Sequence, residues 1–154
     1  MRKAMAARIF VAVSFLFLLP VFSFCQTMNV DDLIGQYSKA TEIERGQIED
    51  TYRYKEISSN VTIKDVIDWA TFDERTDKGE HFYKVVTEPQ MSKAGIPYGI
   101  LIFFKDKNKV EQFVKGQKIE TTGSLIKIVD EVGSFSVWLY AGGLTPEDKI
   151  MFAQ

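Results

Sequence analysis

Very few residues of this chain are of the types that carry out catalysis or hold metal ions. His81 is the sole histidine and Cys25 the sole cysteine among the 154 residues. Metal sites need His, Cys, Asp or Glu clustered at fixed spacings, and a serine- or cysteine-based triad needs a well-placed histidine. Asp73, Glu74 and Asp77 share one charged stretch, but they lack the graded ligand spacing of a calcium loop. The sequence therefore predicts no catalytic residue, no metal site, no cofactor and no enzyme activity.

Aromatic and lysine side chains are the residue types here that could bind a ligand. Aromatic rings in strands can stack on bases, and lysines beside them can contact phosphates. The candidate ligand-binding residues are Trp69, Tyr83, Phe103, Trp138 and Tyr140, with Lys105 and Lys107. An alternative interpretation assigns the rings to the core and the lysines, together with Lys109, Lys115 and Lys118, to a solvated helix surface.

Residues 1–25 have the pattern of an export signal. A basic start precedes the apolar run 9–19, Pro20 breaks that run, and the small residues Ser23 and Cys25 precede Gln26. The run is shorter than the roughly 20 apolar residues of a membrane span. We therefore expect cleavage before Gln26, export to the periplasm or beyond the cell, and no transmembrane span afterwards. The alternatives are an uncleaved N-terminal anchor and lipidation of Cys25, which the bulk of Phe24 disfavours.

Signal removal changes the charge of the chain. It would leave 129 residues, the size of one domain, and would lower Lys+Arg from 19 to 16 against 21 Asp+Glu. The formal net charge would then move from −2 to −5. Such a charge repels phosphate and argues against a nucleic-acid partner. The expected partner is an unidentified protein, glycan or small ligand. Because the mature chain would contain no cysteine, no disulfide can form and packing alone must stabilise the core.

Hydrophobic periodicity predicts a mainly β (α+β) chain, with an N-terminal helical segment over 26–56, a barrel over 57–144 and a tail over 145–154. Asn29 is expected to cap a long or broken helix from Val30 to Tyr52. Five strands are predicted over 60–72, 81–88, 98–105, 118–129 and 134–140. In the first, Val61, Ile63, Ile67 and Trp69 are expected on one face, with a bend at Asp65.

A short helix is predicted between the third and fourth strands. Val110, Phe113 and Val114 have the spacing of one helical face within residues 109–115, with Asn108 as the cap and Gly116 at the end. In the fourth strand the alternation of inward-facing and outward-facing residues changes phase at residues 123–124, which predicts a bulge there. Residues 145–148 are expected to cap a last short helix.

A family resemblance follows from these elements. The segment 113–128 is similar to the passage of OB-fold domains in which a helix, Lys-Gly, a strand, a Gly and a further strand follow one another. From Val30 to Leu144 the chain resembles the secreted bacterial domains grouped as tRNA-anticodon-binding-like OB-folds, whose Asp-x-Leu element and following Tyr are matched by residues 31–34 and Tyr37. The resemblance implies a five-stranded OB-fold-like barrel with the short helix between strands 3 and 4 and the N-terminal helix packed on it. It implies no particular ligand.

Together these observations predict an exported, non-enzymatic OB-fold-like binding module that contacts its ligand through one barrel face. One alternative is a binder of single-stranded nucleic acid or oligosaccharide, which would use the aromatic residues and the lysines. Another is a structural or assembly protein of the envelope, for which Trp138 and Tyr140 would form the partner surface.

Overall fold

The structure, a computed structural model, describes residues 27–73 and 78–152, without the side chains of residues 69–73 and 78–80. The predicted signal with Cys25, and residues 74–77 of the charged loop, lie outside the described part. The elements are β1 (Met28–Asn29), α1 (Val30–Tyr37), α2 (Glu42–Tyr52), β2 (Glu56–Asp73), β3 (Lys78–Thr87), β4 (Gln90–Met91), β5 (Pro97–Phe104), α3 (Lys107–Val110), β6 (Lys118–Glu131), β7 (Ser134–Tyr140) and α4 (Pro146–Phe152). None of the helices described is long and apolar enough to cross a membrane.

Five long strands pair into a closed ring. β2 pairs with β3, β3 with β5, β7 with β6 and β6 with β2, all antiparallel, whereas β5 and β7 are parallel. The order around the ring is β2-β3-β5-β7-β6, and the two-residue strands β1 and β4 join its margins. The prediction of a mainly β chain with five principal strands is confirmed.

The ring is not a regular barrel, because β2 and β6 each change partner along their length. Residues 56–62 of β2 pair with β6, and residues 65–73 pair with β3, with a register shift between Ile63 and Asp65. The predicted bend lies at this shift. The shift also reverses which side chains face inward, so that Val66 packs on the core and Ile67 is 39% exposed. The prediction that Ile67 shares the core face of Ile63 is therefore wrong.

A second irregularity lies in β6. The register with β7 shifts between Leu125 and Lys127, two residues beyond the phase change predicted at residues 123–124. Gly123 lies at the corner where β6 passes from β2 to β7, and a Cβ placed there would be 3.0 Å from the carbonyl oxygen of Tyr140. The absence of a side chain at this position lets two strands approach closely.

The core fills the ring and continues under α1. Branched aliphatic side chains from four strands are fully buried, among them Ile57, Val85, Ile102 and Leu139. Each such burial contributes on the order of 1.5–3 kcal/mol. The apolar face of α1 (Val30, Leu33, Ile34 and Tyr37) belongs to this same cluster.

The predicted long or broken helix is two helices separated at residues 38–41, and Gly46 lies inside the second of them, α2. Asn29 caps α1 by accepting a hydrogen bond from the amide of Asp31 at 2.8 Å. Thr41 and Glu44 form a capping box at the start of α2, which explains the break, because a capping residue is not itself helical.

The helix between β5 and β6 differs in its bounds from the prediction. It begins at Lys107 and ends at Val110, and Asp106 caps it instead of Asn108. Val110 is buried, but Val114 is 65% exposed, so only part of the predicted apolar face packs on the core. The reason is that residues 114–117 form a turn, closed by a hydrogen bond from the Gln117 amide to the Val114 carbonyl, whereas Phe113 before it still contacts the Phe104 ring.

Candidate functional site

The outer surface of the ring carries a row of side chains that crosses all five long strands. The pairings Asp65–Val86, Val86–Leu101, Leu101–Trp138 and Trp138–Lys127 join β2, β3, β5, β7 and β6 in turn. Paired residues point to the same side of a sheet, and here that side faces away from the core. We call these five residues the outer row. With strands about 4.8 Å apart, the row extends roughly 19 Å around the ring.

A second row runs beside the outer row. It contains Ile67, Lys84, Phe103 and Tyr140, which are paired in that order across β2, β3, β5 and β7. Ile67 and Lys84 are accessible to solvent, whereas Phe103 and Tyr140 are buried. We call the two rows together the outer face, and its buried half requires a cover.

The cover is the C-terminal helix α4. The Phe152 ring lies 5.6 Å from Phe82, 5.6 Å from Phe103 and 5.9 Å from Tyr140, centroid to centroid. Edge-to-face and tilted contacts at these distances contribute about 0.5–1.5 kcal/mol each beyond the burial of area. A second apolar cluster, separate from the core, therefore lies between the outer face and α4.

An ion pair with a buried carboxylate joins α4 to Lys105, the residue that follows β5. Lys105 Nζ lies 2.5 Å from Asp148 Oδ1, and the Asp148 side chain is only 2% exposed. Burial raises the pKa of the Asp148 carboxyl, but hydrogen bonds from Lys105 and Thr145 outweigh burial and leave the pKa below its ordinary value. Asp148 also completes a reciprocal cap with Thr145 at the start of α4. One carboxylate thus both starts the helix and attaches it to the ring.

Tyr54 makes a further contact with α4. Its backbone is in the left-handed region, with φ of 63°, which costs a non-glycine residue on the order of 1 kcal/mol. Its amide donates to the carbonyl of Leu125 at 2.7 Å, and its hydroxyl donates to the carbonyl of Lys149 at 3.3 Å. The left-handed backbone thus places the ring against α4.

Trp138 is the largest side chain of the outer row, and it already has neighbours. Lys127 Nζ lies 4.1 Å from the centroid of the Trp138 ring, and the Phe103 ring centroid lies 5.1 Å away. A cation over an indole face contributes about 0.5–1 kcal/mol at an exposed site. A ligand that stacks on this face of Trp138 must therefore move Lys127.

The structure brings together some of the predicted ligand-binding residues and separates others. Phe103, Trp138 and Tyr140 lie on the outer face, and Lys105 lies at its edge. Tyr83 packs against the core cluster and against His81, on the opposite side of β3 from Phe82. Lys107 is on α3 and pairs with Glu111 at 3.3 Å. The side chain of Trp69 lies outside the described residues, although its backbone pairs with Phe82.

Six residues of the outer face were not predicted as ligand-binding, namely Asp65, Ile67, Lys84, Val86, Leu101 and Lys127. Phe82 and Phe152 of the cluster beneath α4 were not predicted either. Phe82 and Tyr83 are adjacent aromatic residues, and alternation alone does not decide which of them faces the core. Lys127 is recognisable only from its register with Trp138. Phe152 follows Thr145-Pro-Glu-Asp by one helical turn, so a helix was foreseen there but its contacts were not.

Elsewhere, the polar groups pair with one another. His81 Nε2 lies 2.6 Å from Asp68 Oδ1, but no described Ser, Thr or Cys side chain hydrogen-bonds to this pair. Across residues 27–73 and 78–152, no three His, Cys, Asp or Glu side chains are grouped as a metal site requires. In a cleft of about 740 Å³ beside α1, Lys93 Nζ pairs with Asp31 and Asp32 at 3.7 Å and 3.2 Å.

The outer row of the ring thus has an apolar centre of half-buried side chains and one charged residue at each end. Comparison of the chain with protein-family models, with curated proteins and with solved structures found no match.

Proposed function

We propose that this protein is an exported, non-enzymatic binding module with an OB-like fold, and that it contacts a protein, glycan or small ligand through the outer face. The strand order supports the fold assignment, because an OB-fold places its first strand between the second and fourth and its third parallel to the fifth. The position of α3, between the third and fourth ring strands, agrees with this assignment. In OB-folds the surface of the second and third strands is the usual ligand site.

The observation that most favours binding here is the outer row itself. It places half-buried apolar side chains, Val86, Leu101 and Trp138, between the charges of Asp65 and Lys127 on one continuous strip. A solvent-facing sheet surface commonly alternates polar residues outward, so an apolar strip on this side is informative. Because the two ends of the row carry opposite charges, a ligand that is itself charged oppositely at its two ends would bind in one orientation.

A matched pair of substitutions tests the proposal. Ile67 on the outer face and Ile43 on α2 are both exposed isoleucines, at 39% and 78%. The immobilised protein is incubated with solubilised envelope of the native host and with an array of glycans. We expect Ile67→Glu to lose the retained ligand and Ile43→Glu to keep it, at equal melting temperatures. Equal retention by both variants would refute binding through the outer face.

Single-stranded nucleic acid is the second candidate, favoured by Lys127 beside Trp138 and by Lys84 on the same outer face. The pairing of Lys105 with Asp148 and of Lys107 with Glu111 removes two lysines from the basic cluster that this function would use. Titration of a labelled oligonucleotide at two salt concentrations decides between the candidates. Tight binding whose affinity falls steeply with salt would replace our proposal with this one.

A further inference from the structure

The helix α4 shows which kind of partner the buried half of the outer face accepts. It presents a carboxylate, Asp148, one helical turn before an aromatic ring, Phe152, on one face. The carboxylate meets Lys105, and the ring enters the space between Phe82, Phe103 and Tyr140. The buried surface thus combines one cation with an aromatic recess, at the spacing of residues i and i+4 of a helix.

The attachment of α4 to the ring is short and rich in glycine. Ala141 is fixed by a hydrogen bond to the carbonyl of Phe103, and Gly142 and Gly143 follow before Leu144. Gly142 has φ of 134°, a conformation that residues with a side chain rarely adopt. A glycine pair between a fixed strand end and a docked helix allows the helix to leave without disturbing β7.

The helix has little stability apart from the face it covers. It contains seven residues, fewer than the roughly 12–15 that an isolated helix needs in water. Ile150 on its exposed side is 67% accessible and contributes little to docking. The order of α4 therefore depends on Asp148, Met151, Phe152 and the contact with Tyr54, and a segment with a carboxylate and an aromatic ring at the same spacing can compete for the same place.

We propose that the buried half of the outer face is a docking site for a short helix of another protein, carrying a carboxylate one turn before an aromatic residue, and that α4 is its intramolecular occupant. This inference rests on the proposed function and specifies its partner as a protein segment. The partner helix replaces α4, pairs its carboxylate with Lys105 and lies directly beside the outer row.

A synthetic peptide tests the site with a defined probe. The peptide spans residues 144–154, carries a fluorophore, and is titrated into the full-length protein by fluorescence anisotropy. If α4 occupies the site in at least about nine-tenths of the protein molecules, the peptide finds the site open in at most about one-tenth of them. The wild-type protein should therefore bind the peptide at least about 10-fold more weakly than the variant Phe152→Ala, whose own helix docks poorly. Peptides with Phe152→Ala or a scrambled sequence should not bind.

The ion pair gives a second readout that does not depend on the folding of one variant. In protein carrying Phe152→Ala, a further Lys105→Met substitution should weaken binding of the native peptide by about 10-fold or more, and should barely affect a peptide with Asp148→Asn. The variant Asp148→Asn provides an alternative protein with a loosened helix if Phe152→Ala aggregates. Melting curves confirm that each protein is folded.

The outcomes separate this inference from the proposed function. Specific peptide binding with charge coupling to Lys105 supports the docking site. No binding to either loosened variant overturns it, and the proposed function stands if Ile67→Glu still loses a ligand. Concentration-dependent dimers of the wild-type protein that the peptide dissociates would overturn the assignment to another protein, because they would identify a second copy of this chain as the occupant.

Discussion

Gly123 is the position where a single methyl group tests the geometry of the ring most sharply. It lies at the corner where β6 leaves β2 and begins to pair with β7. In the variant Gly123→Ala, the new Cβ would lie 3.0 Å from the carbonyl oxygen of Tyr140 and 3.1 Å from Cβ of Leu139. Both contacts are shorter than ordinary van der Waals separation, and both atoms are at or beside the backbone. The strands must therefore move apart by a few tenths of an ångström.

The magnitude follows from two opposing effects. Overpacking a well-filled site costs about 1–3 kcal/mol. Replacing glycine by alanine restricts the unfolded chain and returns about 0.4–1 kcal/mol. We expect a net loss of about 1–2 kcal/mol in the free energy of unfolding, which corresponds to roughly 3–8 °C in melting temperature for a chain of this size.

Gly99 in β5 provides the matched control. It is also a strand glycine of the ring, but nothing lies within 4 Å of a Cβ placed there. Gly99→Ala should therefore leave the free energy of unfolding unchanged or raise it by up to about 1 kcal/mol. Urea unfolding followed by tryptophan fluorescence compares the two variants. Equal stabilities would refute the close approach of β6 and β7 that closes the ring.

Three further predictions concern ionisable groups. Tyr37→Phe removes the hydroxyl that donates to Glu49 at 2.7 Å and should lower the free energy of unfolding by about 1 kcal/mol in urea titrations, and no loss would contradict the hydrogen bond. Burial, assisted by the charge of Asp31, raises the pKa of Tyr98 to about 12. The neutral Tyr98 hydroxyl therefore stabilises the fold fully below pH 10, and this stabilisation is lost as the pH rises towards 12. The free energy of unfolding measured from pH 9 to 12 should show this loss, and Tyr98→Phe should reduce it. Because the pKa of Asp148 is lowered from 3.8, its ion pair stabilises α4 above that pH, and the stabilisation is lost as the pH falls below it. An acid titration of Trp138 fluorescence should show a step that Asp148→Asn lacks. An identical step in both proteins would contradict the coupling between Asp148 and the docking of α4.

The strands could be predicted because alternation and apolar runs record which residues face a core. The bend at Asp65 was predictable too, since an acidic residue at an inward position is incompatible with a continuous strand. What alternation could not provide was the effect of that bend on the residues after it. The irregularity reverses the phase, so Ile67 lies outside although it has the same spacing as the buried Ile63.

The candidate site was harder to predict because it depends on register and on a distant segment. Trp138 and Lys127 become neighbours only through the pairing of β6 with β7, after a bulge whose position the sequence located two residues too early. The contact of Asp148 with Lys105 joins residues far apart in the chain, and no local pattern records it. Two of the five lysines that the sequence places around the short helix, Lys105 and Lys107, are thus partners of carboxylates.

Contact between the outer face and a ligand can be tested directly in the envelope of the native host. A photo-crosslinking amino acid placed at Ile67, and in a control at Ile43, is activated by light in the native host, and adducts are resolved by mass. Both positions are exposed, so both can report a neighbour, but only Ile67 lies beside the outer row. We predict a discrete adduct from position 67 and none from position 43. No adduct from position 67, or the same adduct from both positions, would contradict the assignment of this face as the binding surface.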